Sequence, residues 1–121
     1  SSDVITVQLK LPPRSVGYVG AAEFSLMKPT ALLVNTARGP IVDESALVDA
    51  LRAGVIAGAA LDVFEHEPVV HPGLIELDNA VLIPHLGSAT IETRGAMATL
   101  AARNVVEVLA GRPPLTPVPS P

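Results

Sequence analysis

Three short apolar runs in this sequence are each followed at once by side chains that could share one reaction. Ala31-Leu-Leu-Val34 is followed by Asn35, Thr36 and Arg38, and then by the turn Gly39-Pro40. Val55–Leu61 is followed by Asp62, Glu65 and Glu67, and Ala80–Ile83 by Pro84 and His85. A cation placed just beyond a buried strand is costly unless something outside the core pairs with it. A guanidinium offers a planar fork that matches a carboxylate. A histidine beside a carboxylate has its protonated form stabilised and can act as an acid near neutral pH. A site that grips a carboxylate and delivers a proton suits reduction of a 2-keto acid or oxidation of a 2-hydroxy acid.

Each residue taken singly has a plainer role. Arg38 can be a solvated loop arginine, His85 a turn histidine bonded to nearby backbone, and Asp62 a turn cap. Glu65 and Glu67 can be exposed loop carboxylates. His66 and His71 read as solvated loop residues; they have no further convincing ligand set, so no metal site is expected.

The elements that must bring these groups together are those of an α/β fold. Val4–Leu9 is β-branched and reads as a strand, broken by Pro12-Pro13. Gly20–Met27 is a short helix candidate stopped by Pro29, and Ala31–Val34 is the next strand. Asp43 then caps a helix, with Val42 and Leu47 spaced as a hydrophobic staple and Gly54 at the position after its end. Val55–Leu61 and Ala80–Ile83 are further strands, with a turn near Leu74–Leu77 between them. The longest helix runs from about Thr90 to Ala110, with Met97, Leu100, Ala101, Val105, Val108 and Leu109 on one side. Glu92 suits its positive end, and Gly111 with Pro113-Pro114 stops it. Parallel strands joined by crossovers present all their carboxyl ends on one edge, where open α/β sheets bind ligands. Arg38, Asp62 with Glu67, and His85 are therefore expected to converge there.

Composition narrows the alternatives. The 121 residues are 49% hydrophobic and 17% charged, which argues for one small globular domain rather than a disordered chain. With one tyrosine, two phenylalanines and no tryptophan, the core must be mainly aliphatic, as in a parallel sheet under helices. The same scarcity of aromatic residues argues against a stacking platform for single-stranded nucleic acid. A net charge of -4 argues against nucleic-acid backbone binding. There is no cysteine, hence no disulfide framework or thiol nucleophile. No uncharged stretch is long enough for a membrane span and no basic-then-apolar leader opens the chain. A cytoplasmic protein without membrane or nucleic-acid partners is the expectation. The opening Ser1-Ser2-Asp3 runs straight into a strand, as in a piece of something longer.

Leu33-Val-Asn-Thr-Ala-Arg-Gly-Pro40, Ala60-Leu-Asp-Val-Phe-Glu-His-Glu-Pro68 and Pro84-His-Leu-Gly-Ser-Ala-Thr90 resemble the D-isomer-specific 2-hydroxyacid dehydrogenase family, in order and in spacing. The wording Gly87-Ser88-Ala89-Thr90 is most similar to its glyoxylate/hydroxypyruvate reductase branch. The resemblance implies that Arg38 holds the substrate carboxylate and polarises its carbonyl, and that His85 donates the proton in reduction. It further implies that Glu67 hydrogen-bonds this histidine, where related formate dehydrogenases carry glutamine. Asp62 matches a position near the nicotinamide end of the cofactor, and Thr36, Ala37, Gly87 and Ser88 match loop positions lining nicotinamide and substrate. Catalytic Arg38, Glu67 and His85, and a cofactor site of Thr36, Ala37, Arg38, Asp62, His85, Gly87 and Ser88, are thus the expected set. The cofactor implied is NAD or NADP, the substrate a small 2-keto or 2-hydroxy acid, and the assembly a homodimer.

The departures from the family pattern matter too. No Gly-x-Gly-x-x-Gly occurs in the 121 residues, so the pyrophosphate-binding half of the cofactor domain, with its NAD-or-NADP determinant, is not here. Lys10 stands where the family often has proline. The fold expected is a partial Rossmann-type domain, half of a doubly wound parallel sheet with flanking helices, over residues 1–112, ending in the long helix. A proline-rich tail over residues 113–121 follows. Two other readings stay open: a non-catalytic, cofactor-sensing binding protein on the same scaffold, and an inactive fragment that self-associates through its unpaired first strand or its long helix.

Overall fold

The computed structural model describes residues 2–118. Four strands, β1 (Val4–Val7), β2 (Leu32–Asn35), β3 (Gly58–Leu61) and β4 (Ala80–Leu82), form one parallel sheet in the order β1-β2-β3-β4. Four helices join or follow them: α1 (Ala21–Ser25), α2 (Glu44–Arg52), α3 (Pro72–Ile75) and α4 (Ile91–Leu109). The chain divides into two compact units, Ser1–Gly87 and Ser88–Pro121. The expected boundary at residue 112 therefore does not coincide with the division into units. Part of the reason is local: the tail folds back on its own helix, with Asn104 Nδ2 donating to Thr116 Oγ1 at 2.9 Å and Thr116 N–H donating to Asn104 Oδ1 at 3.1 Å. Residues 119–121 of the expected tail lie outside the described residues.

The first unit is a parallel α/β half-sheet of Rossmann type. Its strands are in register, Val7, Asn35, Leu61 and Leu82 being paired neighbours at the carboxyl edge. Side chains alternate across a strand, and the row through Leu33, Ala59, Asn35 and Leu61 is buried under the helices with Phe24, Ile41, Leu47, Ile56 and Leu74. The opposite face carries Val4, Leu32 and Val81, all exposed. Continuous aliphatic strands suit burial on both faces; among the described residues of this unit the helices cover one.

Helix α2 is set by local chemistry. Asp43 Oδ1 accepts the Ala46 N–H at 2.9 Å, and the staple residues Val42 and Leu47 are both buried. At the other end Gly54 adopts φ +67°. Val55 N–H donates to Ala50 O at 2.8 Å and Gly54 N–H to Leu51 O at 3.2 Å, the paired bonds of a Schellman cap. This corrects the expected strand start: Val55 is spent on closing the helix, and β3 begins only at Gly58. His71, expected to be a solvated loop residue, instead caps α3, its Nδ1 accepting the Gly73 N–H at 3.1 Å.

The second unit is built on α4. Thr90 Oγ1 accepts the Thr93 N–H at 3.1 Å at its start, and Gly111 at φ +73° follows its end. None of its residues is buried, the predicted apolar side included.

Candidate active site at the carboxyl edge of the sheet

Because the strands are parallel and in register, the residues that follow β2, β3 and β4 leave the sheet at one edge. Each of the three loops is braced by a buried or partly buried side chain. After β2, Asn35 lies buried, accepting the Ala37 N–H on Oδ1 at 3.1 Å and donating from Nδ2 to Arg38 O at 3.0 Å. That side chain closes the turn and leaves Thr36 and Arg38 exposed, with Ala37 half-buried. Asn35 was not among the expected site residues. A polar residue on the buried row of a strand is the signal that points to it.

After β3, the buried Asp62 reaches across to the loop beyond β4. Its Oδ1 accepts the Leu86 N–H at 2.6 Å and its Oδ2 the Gly87 N–H at 2.9 Å. Two backbone donors on one carboxylate fix the chain on the far side of His85. On the near side, His85 N–H donates to Ile83 O at 3.1 Å, spanning Pro84. Between these anchors His85 takes φ +51°, a left-handed conformation that costs a non-glycine residue about 1–2 kcal/mol and persists only where its surroundings impose it. Asp62 thus acts as a cap, though on a loop more than twenty residues away rather than on its own turn.

The turned histidine meets Glu67. His85 Nδ1 lies 2.9 Å from Glu67 Oε2, while Glu67 Oε1 accepts the Phe64 N–H at 3.1 Å. The hydrogen bond from His85 is the main reason the Glu67 carboxyl lies below its ordinary range, with the Phe64 N–H next. Partial burial opposes the shift, and the charges of His85 and Arg38 add to it. Arg38 is therefore within electrostatic reach of the pair. With Glu67 ionised, Nδ1 carries the hydrogen and donates, which leaves Nε2 free for another partner. A cleft of about 410 Å³ lies beside the pair, lined by Phe64, Glu67, Pro68, Val70, Pro84 and His85.

The expected residues therefore sort by placement. The structure bonds His85 to Glu67, holds the loop after His85 on Asp62, and puts Arg38 on the same edge. Thr36, Ala37 and Gly87 sit at that edge as well, and Ser88 belongs to the second unit. Glu65, left open between a site and a loop role, has its N–H bound by Glu44 Oε1 at 2.8 Å. His66 is exposed, 3.9 Å from Glu65.

Comparison with known proteins places the chain in a family. The family described as D-isomer specific 2-hydroxyacid dehydrogenase, NAD binding domain, matches residues 1–87. A glyoxylate reductase of Thermofilum pendens is 52% identical over 115 residues, covering 93% of this chain and 34% of the relative. A hydroxyphenylpyruvate reductase of Plectranthus scutellarioides is 44% identical over 118 residues, covering 98% of this chain and 38% of the relative. Among solved structures, an NADPH-dependent glyoxylate/hydroxypyruvate reductase of Sinorhizobium meliloti, in complex with NADP and malonate, superposes with a TM-score of 0.87 at 41% identity. It covers 96% of this chain and 36% of its own. A glyoxylate reductase from Paecilomyes thermophila gives 0.85 at 42% identity, over 98% and 36%. The chain spans about a third of the length of the curated relatives it matches. A half-sheet with its polar groups on the carboxyl edge, matched by that family over residues 1–87, belongs to the D-isomer-specific 2-hydroxyacid dehydrogenases, as part of their NAD-binding domain.

Proposed function

We propose that the whole protein reduces a small 2-keto acid, of the glyoxylate or hydroxypyruvate class, with NADH or NADPH, and that Arg38, Glu67 and His85 carry the reaction. The bond between His85 Nδ1 and Glu67 Oε2, on the edge that Arg38 shares, is the observation that carries this reading.

The residues present fit the nicotinamide end of such a cofactor. Thr36 is exposed and Ala37 half-buried beyond β2, and Gly87, without a side chain, is exposed beyond β4. These positions would hold that end, with Asp62 shaping the loop rather than offering a free carboxylate. When bound, the cofactor supplies the hydride that reduces the carbonyl carbon. Arg38 grips the substrate carboxylate through its planar fork and draws charge toward the carbonyl oxygen. His85 donates a proton from Nε2 as that oxygen becomes an alkoxide, and Glu67 holds the ring in the orientation that aims Nε2. In the oxidative direction the same nitrogen accepts the proton.

The test is oxidation of NADH and of NADPH by the whole protein with glyoxylate or hydroxypyruvate. Arg38→Ala should raise KM for the keto acid by about 100-fold or more, the scale of a lost bidentate ion pair in a site. No turnover with either cofactor and either acid would overturn the reading.

A further inference from the structure

The Phe64–Glu65 peptide is gripped from two sides by residues that the reaction itself does not use. On one side is Gly39, buried and next to Arg38: a Cβ added to it would stand 1.9 Å from both the carbonyl carbon and the oxygen of Phe64. The two backbones are therefore in direct contact, and only glycine permits it. On the other side is Glu44, at the first position of α2 and 4% exposed. Its Oε1 accepts the Glu65 N–H at 2.8 Å, and Glu65 Oε2 lies 3.4 Å from the Glu44 N–H in return. A carboxylate in the first helical turn is also favoured by the helix dipole.

This peptide joins the two halves of the candidate site. Phe64 donates its own N–H to Glu67 Oε1, and Glu67 Oε2 holds His85. Gly39 continues directly into Arg38. A partly buried donor that loses its acceptor is costly, so the loop would move to find another partner. A shift of about 1 Å in such a positioning shell can cost a factor of about 100 in rate.

We propose that Glu44 is a positioning residue. By holding the Glu65 N–H it presses the Phe64–Glu65 peptide against Gly39 and so sets the spacing between Arg38 and the Glu67–His85 pair. This rests on the functional reading given above, and the test separates the two.

In the whole protein, Glu44→Gln keeps an acceptor at Oε1, Glu44→Asp keeps the charge but falls short of the N–H, and Glu44→Ala removes both. Expected for Glu44→Ala is a fall in kcat of about 10- to 100-fold. KM for the keto acid, governed by Arg38, should change by less than about threefold, and Glu44→Gln should restore most of kcat. In parallel, NMR of the side-chain carboxyl carbon follows the titration of Glu67, a readout that needs no turnover. In Glu44→Ala it should move up toward the ordinary glutamate range, and amide exchange at Glu65 should quicken. Should Glu44→Ala fail to fold, Glu44→Asp decides, with the same direction of change. An inactive wild type with the titration shift present would sink the functional reading and leave Glu44 its positioning role. Unchanged kcat and unchanged Glu67 titration in Glu44→Ala or Glu44→Asp would overturn the proposal, as would a Glu44→Gln protein no better than Glu44→Ala.

Discussion

Gly87 lies so close to Asp62 that a Cβ on it would stand 3.3 Å from Oδ2, the oxygen its own N–H donates to at 2.9 Å. With Leu86 N–H on the other oxygen, this carboxylate holds the chain directly after His85, which takes positive φ and bonds Glu67. The carboxylate that follows β3 therefore anchors the loop that carries the ring following β4.

Replacing Asp62 tests that arrangement. Asp62→Ala leaves two backbone donors without their acceptor and should lower stability by about 1–3 kcal/mol, read from denaturant midpoints. It should also lower kcat by about 10- to 100-fold, because His85 is then free to leave its strained conformation. Asp62→Asn keeps one oxygen and should fall between. An Asp62→Ala protein with wild-type kcat would show that the strained turn is held by something else.

Gly39 gives a counterpart that is read in stability. Gly39→Ala forces the Arg38 turn away from the Phe64 carbonyl, and overpacking of this kind costs about 1–3 kcal/mol or more. Gly54→Ala, at φ +67° with open space around a Cβ, should cost only about 1 kcal/mol. Equal midpoints for the two variants would contradict the close backbone approach.

Acid should weaken the Glu67 contacts in a defined direction. Its carboxyl titrates below the ordinary glutamate value when folded, so ionised Glu67 stabilises the fold above that ordinary value, 4.5. The contribution is lost as pH falls through the lower folded value, where both states are protonated. The stabilisation of wild type over Glu67→Gln should thus shrink on acidification below about 4.5. Glu67 is 38% exposed, so solvent screening keeps the difference small. A difference that grows on acidification would contradict the assigned contacts.

The outer edge of β1 pairs with no strand among the described residues, and the open sheet face beside it carries Val4, Leu32 and Val81. Unpaired parallel edges and exposed aliphatic faces drive association. The 121-residue chain should sediment with a mass that rises with concentration. A clean monomer at high concentration would contradict this.

Much of the scaffold was legible because it is local. Asp43, Val42, Leu47 and Gly54 announce helix α2 by their types and spacing alone, and four aliphatic runs announce a parallel sheet. The start of β3 was not legible, because whether Val55 extends a strand or closes a helix depends on Gly54 adopting positive φ. His71 looked like a loop histidine because its cap is a hydrogen bond over two residues, invisible in composition. The placement of Arg38, Glu67 and His85 on one edge was legible through strand ends and family likeness together. Asn35, Glu44 and the Gly39–Phe64 contact were not, since each matters through a partner that only the folded chain brings near. The exposure of α4 follows the same logic: periodicity marks an apolar side without saying what covers it.

In the proposed reaction His85, aimed by Glu67, delivers the proton to a substrate gripped by Arg38. The most direct measurement is kcat and KM of the whole protein carrying His85→Ala, assayed with NADH or NADPH and glyoxylate, with and without added imidazole. Expected is a kcat lower by about 100- to 10,000-fold, the scale of a lost general acid, with KM for glyoxylate little changed and part of kcat restored by imidazole. A His85→Ala protein that keeps wild-type kcat would contradict the proposed reaction.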